Sequence, residues 1–265
     1  MRGSKGGKQQ EASWLWEALV GVLIALASFA IPCLGVHQQS LPRIAIQTDA
    51  SHTFYARDPS FDHTNVKEQV SMTKLLLISF SLPIIAHLAM QWLRPLPNAT
   101  RHFTLSIIAA SAMAIVATNA IKVATGRFRP NFFSMCDWDK SVLWDGVTNL
   151  CRNRGGELEG RQSFPSGHSA GSFATLFLLS LYMLGRAQSS PYLQGVNRSI
   201  TFWLASIPTL VATWIAITRF QDHWHHPDDI VGGAVIGGTA GYIAYSYYFR
   251  RDPDAYEEIP SGDAN

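Results

Sequence analysis

WLWEALVGVLIALASFAIPCLGV, residues 14–36, is an apolar run whose one charge is Glu17. A helix that crosses a bilayer needs roughly 20 such residues, and a secretory leader has a core of only about 7–15. The run exceeds the second length and lacks a convincing cleavage site, so it reads as a permanent span. Five more stretches of this kind follow, at about 72–93, 103–122, 168–185, 200–218 and 229–249. The competing reading is a soluble protein with six buried helices. FATLFLLSLYML, residues 173–184, is apolar on every face and opposes it. The expected fold is therefore all-α and polytopic, with six transmembrane helices in one membrane domain over 14–249. The ends, 1–13 and 250–265, read as disordered cytoplasmic tails.

Composition agrees with a membrane setting. Charged residues are 15% of the chain, against about 25% in soluble domains. A net charge of +2, with no basic patch interleaved with aromatics, gives no sign of a nucleic-acid partner. The basic head, the short connections RPLPNATR and 186–198, and Arg250 with Arg251 would be cytoplasmic if the N-terminus is inside. The long loops, about 37–71 and 123–167, then face the exterior or an organelle lumen. They too are basic, but long loops weigh less in that rule. Cys136 and Cys151 share the second loop, where an oxidising compartment would let them pair. Cys33 reads as a small filler in the first span, and the sequons at Asn98 and Asn197 would stay bare on the cytosolic side.

Three polar islands fall at one membrane face on this topology. KVATGRFRPNFF, residues 122–133, follows the third span. GRQSFPSGHSAGS, 160–172, precedes the fourth, and TRFQDHWHHPDDI, 218–230, joins the fifth to the sixth. The last holds three histidines and three aspartates, and could be a metal site, a proton relay, a covalent catalyst or a polar loop. In the second island Ser166 suits a helix cap, and the free N–H groups of Gly167 and His168 offer an anion site. In the third, Pro227 suits a first helical turn, which places Asp229 within reach of His225 just ahead of it. A carboxylate on one imidazole nitrogen leaves the other free as a nucleophile. Lys122, Arg129 and Arg219 add cations, each of which alone could merely snorkel to headgroups.

Taken in order, KVATGRFRP (Lys122 to Pro130), PSGH (Pro165 to His168) and TRFQDHWHHPDD (Thr218 to Asp229) resemble the signature of the type 2 phosphatidic acid phosphatase superfamily, in particular its lipid phosphate phosphatases. Thr218 stands where that signature has serine. The resemblance implies a metal-independent phosphomonoester hydrolase without cofactor, working through a phosphohistidine. It implies His225 as nucleophile, Asp229 as its orienter and His168 as general acid, with Lys122, Arg129, Arg219, Ser166 and Gly167 cradling the phosphate. Phosphoryl transfer rests on positioning and charge stabilisation, which suits these residue types. Within the superfamily an isoprenoid-diphosphate or a luminal sugar-phosphate phosphatase is the alternative. Outside it stand a metal-binding transporter and a lipid-phosphate receptor without catalysis. The cations oppose the first, and the presence of His168, His225 and Asp229 opposes the second.

The expected partners are a lipid phosphate and the bilayer, in plasma membrane or endomembrane (endoplasmic reticulum, vacuole or Golgi); a homo-oligomer is left open. Arg127 is read as attracting anionic headgroups, and His87 in the second span as a packing or helix–helix residue. Asp222, His223, His226 and Asp228 leave two readings open, solvated loop or part of the site. Gly233, Gly237 and Gly241 form a small-residue stripe that continues to Asp229 and should let the sixth helix pack closely.

Overall fold

The structure, a computed structural model, describes residues 3–48, 53–189 and 198–250. Helix α1 runs Gly3–Ala27 and tightens into a 3₁₀ stretch, Ser28–Leu34, where Pro32 removes a backbone donor. The helix thus begins inside the head expected to be unstructured. Its Lys, Gln and Glu residues are good helix formers, so the apolar run does not mark the helix start. The 250–265 tail, beyond Arg250, and residues 190–197 of the 186–198 connection lie outside the described residues.

The first long loop is not all coil. β1, Arg43–Gln47, pairs antiparallel with β2, Thr53–Arg57, in the register Arg43↔Arg57 and Ile46↔Phe54. This corrects the all-α expectation: RIAIQ and TFYAR carry the β-branched and aromatic residues that favour a pleated strand. Helices α2, Met72–Leu93, and α3, Ala99–Thr125, follow. Gly126 ends α3 in the left-handed region (φ 57°), and a β-carbon there would stand 1.9 Å from the His37 carbonyl oxygen. The second long loop holds short helices α4, Phe132–Met135, and α5, Arg154–Gly160. A Cys136–Cys151 disulfide closes it around Phe128, Phe132, Phe133, Trp138 and Trp144.

The fourth apolar stretch is α6, Gly167–Ser172, a π turn over Phe173–Phe177, and α7, Leu178–Ser189. Helix α8, Arg198–Gln221, precedes α9, Pro227–Tyr245, which a further π turn carries to Arg250. Among the described residues, five helical segments are long and apolar enough to cross a membrane: Ser13–Leu34, Met72–Leu93, Ala99–Thr125, Gly167–Gln188 and Arg198–Gln221. The sixth expected stretch is α9, which is not among these five. Leu23, Leu77, Ile85, Trp203, Leu210 and Val235 are exposed on the outer faces, a surface that hydrocarbon rather than water would cover. The chain is a multi-pass membrane protein.

Helices α3, α7 and α9 share the central core through Phe103, Ala110, Leu178, Tyr182, Ala240 and Tyr245. The glycine stripe of α9 faces α6: β-carbons at Gly233 and Gly237 would stand 2.5 Å from the Ser166 and 2.1 Å from the Ala170 carbonyl oxygens. His87 packs on Phe103 and shares hydrogen bonds of 3.0 Å with the Tyr182 hydroxyl and with Thr100 Oγ1, the helix–helix role expected of it. Cys33, in the 3₁₀ stretch, is exposed rather than packed.

Candidate active site

The end of α3, the start of α6, the end of α8 and the start of α9 meet at one end of the bundle, where both long loops cover them. All three islands come together there. Pro227 opens α9 and places Asp229 in its first turn, where the helix dipole favours a carboxylate. The Ser166 N–H donates to the Asp229 carbonyl at 2.9 Å, locking the α6 and α9 starts together. Ser166 caps α6, with Oγ accepting from Ser169 N–H at 3.4 Å. Lys122 leaves the last turn of α3 with Nζ beside Gly167: a β-carbon on that glycine would be 3.9 Å away.

His225 is buried, and its Nδ1 is 3.7 Å from Asp229 Oδ2. That is ion-pair range and too long for a hydrogen bond. Burial first, then the charges of Arg129 and Lys122, push the His225 imidazole down to about 3, against the opposing pull of Asp229. The ring is therefore neutral at ordinary pH and keeps a lone pair. Asp229 is fully buried, and its oxygens accept from Ser163 Oγ (2.6 Å), the His226 N–H (2.8 Å) and Arg127 Nη1 (2.9 Å).

Arg219 is almost fully buried. Its Nη1 donates to the Val70 carbonyl at 3.0 Å and lies 3.2 Å from His168 Nε2, while Nη2 reaches Asp222 Oδ2 at 2.9 Å. Arginine only donates, so His168 Nε2 accepts and its ring proton is on Nδ1. Arg129 pairs with Glu159, and burial, ahead of neighbouring charges, holds its guanidinium below the usual range. Its guanidinium lies 4.9 Å from the Trp224 ring centre and that of Arg219 5.8 Å, so the indole touches both arginines. Among the described residues, Arg129 Nε, Arg219 Nε, Trp224 Nε1 and His225 Nδ1 are buried without hydrogen-bond partners. Buried donors left unpaired cost about 1–3 kcal/mol each, so a cluster of them is a place for an acceptor.

The undecided residues also find places. Asp222 is buried and holds both Arg219 and the Gln69 N–H, the latter at 2.8 Å, so it is not a solvated loop residue. Its i,i+3 spacing from Arg219 was a signal for this. His223 stacks on His63 with centroids 4.2 Å apart, and His226 Nε2 meets the Phe128 carbonyl at 3.2 Å. Asp228 is exposed and pairs with Arg127, which is thereby tied to both acids of α9 instead of pointing at headgroups. Thr218 Oγ1 donates to the Ile215 carbonyl at 2.7 Å within its own helix. Ser163, Gln69 and Val70 come from irregular segments and Glu159 from the short helix α5, none of which showed a periodic signal. Among the described residues, no three His, Cys, Asp or Glu side chains converge as a metal-holding group.

The fold and site thus define a class of multi-pass membrane protein in which helix ends bring cations, two histidines and a buried carboxylate together. The sequence comparisons identify the family: the PAP2 superfamily profile matches residues 103–253, more than half of the chain, and the protein belongs to that superfamily. Lipid phosphate phosphatase 1 of Arabidopsis thaliana is 35% identical over 179 residues, 67% of this chain and 53% of that protein. Lipid phosphate phosphatase 2 of the same plant is 35% identical over 185 residues, 68% of this chain and 63% of its own. Diacylglycerol pyrophosphate phosphatase 1 of Saccharomyces cerevisiae is 29% identical over 212 residues, 75% of this chain and 70% of that one. The chain thus aligns with 53% and 63% of the two Arabidopsis relatives' lengths. No solved structure gives a significant match.

Proposed function

We propose that the protein is an integral-membrane lipid phosphate phosphatase, hydrolysing phosphomonoesters of lipids through a phosphohistidine at His225. The observation that carries this reading is the set of unpartnered buried donors on Arg129, Arg219 and Trp224, beside a neutral His225. A phosphoryl group supplies several acceptor oxygens at once, and arginine binds it through parallel bonds. The names of the relatives, lipid phosphate and diacylglycerol pyrophosphate phosphatases, support a lipid substrate. A site at the end of a membrane bundle suits a headgroup whose tails stay in lipid.

The chemistry follows from the side chains. The Nδ1 side of His225 faces Asp229, which favours the Nδ1–H tautomer and leaves the Nε2 lone pair for phosphorus. The P–N bond forms as the ester P–O bond breaks, and its electron pair leaves on the lipid oxygen with a proton from His168. His168 enters this step as the imidazolium, once the incoming phosphate monoester has drawn Arg219 off Nε2 and given that nitrogen its proton. Water then attacks phosphorus while His168 takes up a proton, the P–N bond breaks, and phosphate departs. Lys122, Arg129, Arg219 and the amides after Ser166 stabilise the equatorial oxygens. No step calls on a metal.

Six spans, α9 included, would put both termini in the cytosol and this site on the exterior or luminal face. The Cys136–Cys151 bond supports that orientation, since disulfides persist in oxidising compartments. The test is phosphate release in detergent micelles with excess chelator. Phosphatidate, lysophosphatidate, sphingoid phosphate, diacylglycerol diphosphate, isoprenyl diphosphate and glucose phosphate would be offered. Release from lipid phosphates that survives chelation and disappears in His225→Ala is expected. Strict metal dependence would falsify the mechanism, and preference for glucose phosphate or isoprenyl diphosphate would move the substrate assignment.

A further inference from the structure

We propose that Arg127 and Ser163 are positioning residues for the Asp229 carboxylate, acting on the reaction through it without touching the phosphate. The inference rests on the phosphatase reading above. Asp229 is wholly buried, and a buried carboxylate is costly unless its lone pairs are used. Here Ser163 Oγ and the His226 N–H occupy Oδ2 at 2.6 and 2.8 Å, and Arg127 Nη1 occupies Oδ1 at 2.9 Å. Arg127 is itself held by Asp228 from the same helical turn. Donors on both oxygens fix the carboxylate plane and favour the anion.

They also set its distance. With Oδ2 already shared, His225 Nδ1 stays 3.7 Å away, and the dyad is open in the resting site. When Nε2 bonds to phosphorus the ring becomes a cation, while Nδ1 keeps its proton. Attraction between Nδ1–H and Oδ2 then rises and the contact can close. Asp229 thus stabilises the phosphorylated ring more than the neutral one, which is where an interaction accelerates a reaction. The proton stays on nitrogen throughout, because a carboxylate with three donors is a weak base.

The experiment uses the full chain in micelles with radiolabelled dioctanoyl phosphatidate. It measures Ser163→Ala and Arg127→Gln, each alone and combined with Asp229→Asn. Each single variant should lower kcat by about 10–100-fold, the usual effect of removing a supporting hydrogen bond. KM should stay within about two-fold of wild type, since ground-state binding is untouched. In the Asp229→Asn background neither change should lower kcat further. A raised KM with kcat kept would make Arg127 a phosphate ligand and overturn the proposal. Losses that multiply onto that of Asp229→Asn would overturn it as well. Arg127 is 31% exposed at its side chain, so Arg127→Gln carries the test if Ser163→Ala does not fold. Wild-type protein that releases no phosphate from any lipid would fell the phosphatase reading instead. Active wild type with an unaffected Arg127→Gln would fell this inference alone.

Discussion

His225 ties the acid stability of the fold to the chemistry of the site. Burial pushes its imidazole down to about 3, whereas an unfolded chain protonates it near the ordinary value of about 6.5. Between these values the unfolded chain binds a proton that the folded site refuses. Stability from the neutral ring is therefore complete above about pH 6.5 and is lost as pH falls toward 3, by roughly 2 kcal/mol at pH 5. Wild-type protein in micelles should lose more of its unfolding temperature between pH 7 and pH 5 than His225→Asn does. Equal losses would show that the ring does not titrate across this window. His225 and Asp229 were legible in the sequence because spacing and Pro227 put them on either side of a helix start. Asp222 was left between two readings and Ser163 was not singled out, because a lone acid and a lone serine mean little until the chain folds back on them. Their partners, Arg219 and Asp229, are reached from a helix end and from a loop 66 residues away in sequence respectively.

At the scale of elements, the glycine stripe sets how closely α9 approaches α6. Gly237→Leu would push side-chain atoms into the Ala170 carbonyl, 2.1 Å from the position of a β-carbon. Overpacking of this kind costs about 1–3 kcal/mol or more, and Asp229 shifts with the helix. Reduced yield, a lower unfolding temperature and reduced phosphate release are expected. Gly238→Ala is the control, since its β-carbon would meet only Phe177 at 4.0 Å. Equal behaviour of the two variants would show that the stripe does not set the spacing. The apolar stretches announced these helices by length and composition. The β1–β2 hairpin was hidden because only five residues form each strand, within a long polar segment. The π turn at Phe173–Phe177 was hidden too, because no residue pattern in an all-apolar run marks an extra residue in one turn.

For the whole molecule, the disulfide and the bundle make a joint statement about sidedness. In sealed vesicles with the cytosolic face outward, Cys136 and Cys151 should react with an impermeant maleimide only after reduction and permeabilisation. Labelling after reduction alone would invert the proposed topology. Replacing both cysteines by serine should cost about 3 kcal/mol for a bridge spanning 15 residues.

His168 is carried by α6 and Asp229 by α9, and those two helices are clamped backbone to backbone at Gly233 and Gly237. The histidine and the carboxylate are thus mounted on one stiff frame. On the proposed phosphatase reading, a headgroup that enters, or a dephosphorylated lipid that leaves, would not find room by prising them apart. On that reading the give would come from the other wall, where α8 brings Arg219 and the segment around Gln69 and Val70 is hydrogen-bonded to Arg219 and Asp222. Turnover would then be paced by how readily that wall breathes, with the catalytic geometry opposite it unchanged from one cycle to the next.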